Sequence, residues 1–210
     1  MKIVCIADTH GLHWDLLDLP IGDVLVIAGD VTNVGDPKDL ISFNRWIGTH
    51  PHPHKLIVPG NHDFCFEENY GLCEDICTEA KILLDSAFTI EGVNFYGTPQ
   101  QPHFYSWAFN IKQREKRKEY FDRIPKNTDV LITHAPPYGI LDKINENSKD
   151  SLGDVALQER INELPNLKLN VFGHIHGGYG RVKIGNTEFI NCSIADERYG
   201  LVNAPIVVDI

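Results

Sequence analysis

Five short runs rich in valine, isoleucine and leucine each end on side chains that bind protons or cations. This coincidence limits the fold more than any other feature. The runs cover residues 3–7, 24–28, 56–58, 130–133 and 171–172. They end, in order, in Asp8-Thr9-His10, Gly29-Asp30, Gly60-Asn61-His62-Asp63, His134, and Gly173-His174-Ile175-His176. Short β-branched runs of this kind suit buried strands. Helical patterns at 37–47, 111–123 and 152–164 separate several of them, and that alternation predicts an α/β chain. Residues 87–96 and 181–193 read as hairpins with turns at Glu91-Gly92 and Gly185-Asn186, and 202–210 as a last strand. The expected fold is α/β, two packed mixed β-sheets flanked by helices, in a single domain over 1–210. The carboxyl ends of parallel strands line the ligand crevice of open α/β sheets. If these strands are parallel neighbours, their terminal side chains converge on one edge.

The chemistry of that edge is uniform. Asp, Asn and His offer oxygen and imidazole nitrogen, which suit borderline divalent metals. Burying Asp8 and Asp30 together without a counter-charge is costly. Two divalent ions remove that cost and leave a positive surplus for an anionic phosphate. The neutral Asn61 does not cancel the surplus.

The ordered set D-x-H, G-D, G-N-H-D, H and G-H-x-H, spanning positions 8–176, resembles the calcineurin-like metallophosphoesterase superfamily. The resemblance implies that Asp8, His10 and His176 bind one metal, that Asn61, His134 and His174 bind a second, and that Asp30 bridges them. It implies that His62 binds no metal, faces the substrate and acts as general acid. Asp63 is then expected to accept a hydrogen bond from His62 and hold its ring. Manganese is the metal expected, with iron, zinc, nickel or cobalt as alternatives. A hydroxide held between the ions would attack phosphorus in line with the leaving group.

Gly97-Thr98-Pro99, Trp107-Ala108-Phe109-Asn110, His134-Ala135-Pro136-Pro137 and Leu141-Asp142 are similar to the metallophosphodiesterase-domain branch. That likeness implies small phosphodiesters, cyclic nucleotides among them, as substrates. Protein phosphatases of the superfamily continue G-D with an Asp-Arg-Gly turn, whereas this chain has Val31-Thr32-Asn33-Val34-Gly35. No arginine stands there to grip a dianionic monoester, although Arg181 or Arg198 could substitute. A phosphomonoesterase or nuclease and, in another class, a metal- or nucleotide-binding scaffold without turnover are the alternatives.

The rest of the sequence sets boundaries. A net charge of -10, from 29 acids against 19 bases, repels long polyanions and argues against extended nucleic acid as a partner. No apolar run is long enough to span a membrane. The N-terminal run reads as a buried strand rather than a signal peptide, so a cytoplasmic location is expected. Five scattered cysteines do not form a disulfide framework. His50, His52 and His54 alternate with prolines and read as an extended loop before the third strand, with a weak metal site as the alternative. His13 either approaches the substrate or sits in an exposed loop. The basic stretch 112–118 reads as a solvated helix face. The aromatics Phe104, Tyr105, Trp107 and Phe109 either stack a nucleobase or, for Trp107 and Phe109 in particular, cap the core.

Overall fold

A computed structural model describes residues 1–16 and 19–210. In chain order the first strands are β1 (Lys2–Ile6), β2 (Val24–Ile27), β3 (His54–Ile57), β4 (Lys81–Ile82), β5 (Ser86–Ile90), β6 (Val93–Thr98), β7 (Gln101–Pro102) and β8 (Asn110–Ile111). They are followed by β9 (Val130–Thr133), β10 (Leu169–Phe172), β11 (Gly180–Ile184), β12 (Thr187–Asn191) and β13 (Ile206–Asp209). The helices are α1 (Pro37–Gly48), α2 (Phe64–Glu68), α3 (Tyr70–Ile76), α4 (Arg114–Phe121) and α5 (Val155–Asn162). One sheet has the order β13-β1-β2-β3-β4 and the other β11-β12-β10-β9-β6-β5, with β7 and β8 paired separately.

Strand periodicity divides the side chains between layers. Ile3 and Cys5 of β1, Val24 and Val26 of β2 and Leu56 of β3 pack against Phe95, Val130, Ile132, Leu169, Val171 and Ile190 of the other sheet. The alternate residues Val4, Ile6, Leu25, Ile27 and Ile57 turn outward onto Leu40, Phe43, Trp46 and Ile47 of α1. On the far side, Leu131, Phe172 and Phe189 meet Phe121 of α4 and Leu157 and Ile161 of α5. Because both faces are covered, the strands read as unbroken apolar runs. β1, β2, β3 and β4 are parallel, as are β6, β9, β10 and β12. Their carboxyl ends therefore point one way in each sheet. A bridge between Ala7 and Ser193 ties β1 to the segment after β12, closing the two sheets together at the site edge.

The two packed, mixed sheets and outer helices match the expected α/β architecture. Element ends differ. The helix expected over 111–123 begins only at Arg114, because Asn110–Ile111 pairs with Gln101–Pro102. The helix expected over 152–164 is α5, capped by Asp154, whose carboxylate accepts the Ala156 N–H at 2.8 Å. The basic stretch is not wholly solvated: Arg117 is buried, and its Nε donates to Asp154 at 2.6 Å. His54 opens β3, and His52 Nε2 lies 2.9 Å from the Pro20 carbonyl. All five cysteines are buried and free. Among the described residues no helix is long and apolar enough to cross a membrane.

Candidate metal centre

Three of the five strands followed by ligand-type residues, β1, β2 and β10, lead directly into a sharp reversal. Asp8, His10, Asp30 and His174 all adopt left-handed backbone, with φ of 59°, 44°, 53° and 68°. Such angles are costly for residues with a Cβ and persist only where the surroundings enforce them. The preceding glycines make room. A Cβ on Gly29 would lie 2.3 Å from His134 Nδ1, and one on Gly173 the same distance from Asp8 Oδ2. Those close approaches account for glycine at both positions.

The strand ends bring the seven expected ligand residues to one place. Asp8, His10 and His176 place ligand atoms within 4.8 Å of one another, and so do Asp30, His134 and His174. Asn61 joins the second group, its Oδ1 2.9 Å from His134 Nε2. Asp30 connects the groups: Oδ2 lies 3.3 Å from His134 Nε2, 3.9 Å from His10 Nε2 and 4.0 Å from His62 Nε2. Asp30, His10 and His62 themselves form a third close set.

The hydrogen bonds orient these groups as metal ligands are oriented. His134 Nδ1–H donates to the Ala28 carbonyl at 2.8 Å, leaving Nε2 for the interior. His176 Nδ1–H donates to the Asp196 carbonyl at 2.7 Å, and its Nε2 stands 3.3 Å from His10 Nε2. Two facing imidazole nitrogens and two carboxylates in so small a volume fit a site for cations. Burial lowers the pKa of His10 to about 4, against the pull of Asp30 and Asp8. Burial and the neighbouring His134 lower that of His174 to about 3. Both rings are therefore in the neutral, ligating form near neutrality. Burial opposes the charge on Asp30, but His134, His10 and His62 outweigh it and hold the carboxyl below its usual range. The donor set thus fits a pair of divalent ions.

His62 and Asp63 do not interact as expected. His62 Nδ1–H donates to the Asn33 carbonyl at 2.6 Å, and its ring stacks on Trp107 with centroids 4.0 Å apart. Asp63 is fully buried and accepts the Gly60 N–H at 2.8 Å, the Thr32 N–H at 2.9 Å, the Thr32 hydroxyl at 2.8 Å and the Val31 N–H at 3.3 Å. It therefore ties the loop after β2 to the loop after β3, and that first loop supplies the carbonyl that holds His62. Burial and the Asp30 charge push its carboxyl up to about 6 against these donors, so it is still ionised at neutral pH.

Other expectations separate here. His13 is buried against Phe43 and Trp46, with Nε2 3.0 Å from Ser42 Oγ, so it neither approaches the substrate space nor is exposed. Phe109 is in the core, whereas Trp107 lines the cavity. Arg181 pairs with Glu188, and Arg198 does not line the cavity. That cavity, of about 540 Å³, opens over Asp30, Asn61, His62, His174 and His176 and is walled by Phe104, Trp107, Ile144, Leu152, Glu197 and Tyr199. Tyr199 packs edge-on to His10 at 4.7 Å. Glu197 and Tyr199 went unnoticed in the sequence, because no motif marks the segment after β12.

A two-sheet fold gathering two such ligand sets at one edge is the framework of a metallophosphoesterase. The comparisons agree. Residues 1–178 match the family described as calcineurin-like phosphoesterase. The whole chain is 36% identical to metallophosphoesterase domain-containing protein 1 of Homo sapiens, covering 71% of that protein. A UPF0046 protein of Caenorhabditis elegans is also 36% identical, over 99% of this chain and 74% of its own length. One solved structure superposes with a TM-score of 0.69 at 18% identity, over 90% of this chain and 89% of that one. A putative 5'-nucleotidase from Staphylococcus aureus superposes with a TM-score of 0.54 at 15% identity, over 99% of this chain and 53% of that one. The chain belongs to the calcineurin-like phosphoesterase family, whose members are metal-dependent phosphoester hydrolases.

Proposed function

We propose that the protein hydrolyses small phosphodiesters, cyclic nucleotides among them, with two divalent cations, manganese first among them. Asp8, His10 and His176 would hold one ion and Asn61, His134 and His174 the other, with Asp30 within reach of both groups. The carrying observation is that two ligand groups meet at Asp30 beneath one cavity. When bound, such a pair generates a nucleophile from water near neutral pH and offsets charge on the phosphoryl oxygens.

The chain's own groups do the rest. The Asn33 carbonyl fixes the His62 tautomer, and Trp107 fixes its plane, so Nε2 is the nitrogen left to deliver a proton to the departing oxygen. The aromatic and aliphatic walls place apolar surface beside the leaving group. No lysine or arginine lines the cavity among the described residues. A monoanionic diester needs less clamping than a dianionic monoester, and this supports the diester reading.

Chelator-stripped protein reloaded with Mn²⁺ tests the proposal against bis- and mono-p-nitrophenyl phosphate and against 2′,3′- and 3′,5′-cyclic nucleotides. The diester is expected to show the higher kcat/KM. A faster monoester, or no hydrolysis of either, would overturn it.

A further inference from the structure

The cavity wall carries an acid that the ligand sets do not use. Glu197 lines the cavity, while Arg198, next in sequence, does not. Its position is set by a tight turn over 196–200. The Asp196 carbonyl accepts the His176 Nδ1–H at 2.7 Å and the Tyr199 N–H at 3.0 Å. The Asp196 carboxylate accepts the backbone N–H groups of Arg198 at 2.9 Å and Gly200 at 2.8 Å, and the Asp196 N–H donates to the Gly200 carbonyl at 2.8 Å. The turn is thus fastened to a ligand-type histidine, and it presents Glu197 and Tyr199 to the same space. A Cβ on Gly177 would lie 2.8 Å from Glu197 Oε1, so the carboxylate reaches the backbone one residue beyond His176. Glu197 makes no hydrogen bond or ion pair with any described residue.

An unpaired carboxylate beside an anion site repels whatever anion enters, and the repulsion scales with that anion's charge. Beside His103, the wall offers Phe104, Trp107, Ile144, Leu152 and Tyr199, surfaces that favour apolar or aromatic groups. We infer that Glu197 is a charge filter, admitting monoanionic diesters with apolar or aromatic substituents and rejecting dianionic monoesters and nucleotides bearing further phosphates. The inference rests on the phosphoesterase reading and adds a specificity-determining residue to it.

The filter has a quantitative signature. Removing the charge should help a dianion by the square of the factor by which it helps a monoanion. Metal-loaded wild type, Glu197→Gln and Glu197→Asp are titrated calorimetrically at about pH 8.5 and low salt with inorganic phosphate and with dimethyl phosphate. In parallel, kcat/KM is measured for mono- and bis-p-nitrophenyl phosphate. Glu197→Gln is expected to tighten inorganic phosphate by about tenfold and dimethyl phosphate by about threefold. The kcat/KM ratio should shift the same way, Glu197→Asp should restore the wild-type ratio, and the difference should shrink at high salt. Equal changes for both anions, no change, or loss of metal from Glu197→Gln would overturn the filter. Wild type that binds both anions with the charge-dependent response but hydrolyses no ester would sink the phosphodiesterase reading alone. Diester turnover with no response to Glu197→Gln would sink the filter alone.

Discussion

Asp30 touches both ligand groups. Its Oδ1 accepts the His62 backbone N–H at 2.8 Å, and its Oδ2 faces His134. Asp30→Ala should therefore lose metal and activity together. His62→Ala should keep its metal and lose turnover by about 10²–10⁴. Metal analysis beside kinetics separates the two, and equal metal loss in both variants would contradict these roles. Asp63 behaves differently from what its place beside His62 suggests. Removing its carboxylate strands the donors of Gly60, Val31 and Thr32 in the interior. Asp63→Ala should cost about 2–4 kcal/mol in urea unfolding of the metal-free protein; unchanged stability would refute that. The ligand types were legible in the sequence because strand ends announce themselves by composition. The partner of His62 was not, because it is a backbone carbonyl some thirty residues away, placed by a loop whose fold depends on Asp63 itself.

Among elements, the parallel strands were readable because burial on both faces demands continuous apolar runs. Strands as short as β4, β7 and β8 carry too few residues for any period to show. The same holds for α2 and α3, at five and seven residues. The basic face of α4 misled for a related reason: charge alone does not reveal which residue turns inward. Arg117 does, joining α4 to the first turn of α5 through Asp154 and also donating to the Ile111 carbonyl at 2.7 Å. Asp154→Ala leaves that buried guanidinium without its carboxylate and removes a helix cap. It should cost about 3–5 kcal/mol in chemical denaturation. Arg117→Met combined with Asp154→Ala should recover part of the loss, and a purely additive double variant would show that the pair is not coupled.

At the scale of the whole molecule, acid should loosen the fold through the buried His13. Burial lowers the His13 pKa from 6.5 to about 4, against Asp39, Asp15 and the Ser42 contact. The folded value lies below the unfolded one, so the contribution is present above about pH 6.5 and lost as pH falls through 4. Urea midpoints of metal-free protein should fall across that window, and less steeply in His13→Leu; parallel slopes would exclude His13. The ligand groups have one more consequence. Asp8, His10, Asp30 and Asn61 follow strands of one sheet, and His134, His174 and His176 follow strands of the other. Each cation would then act as a rivet through the seam between two layers otherwise joined by greasy contacts and a few hydrogen bonds around Ala7 and Ala28, and sliding one layer past the other would tear both coordination spheres at once. Loading with metal should raise the melting temperature and suppress partial opening at this edge, while the opposite rim, where no ion grips, exchanges its amide protons as before.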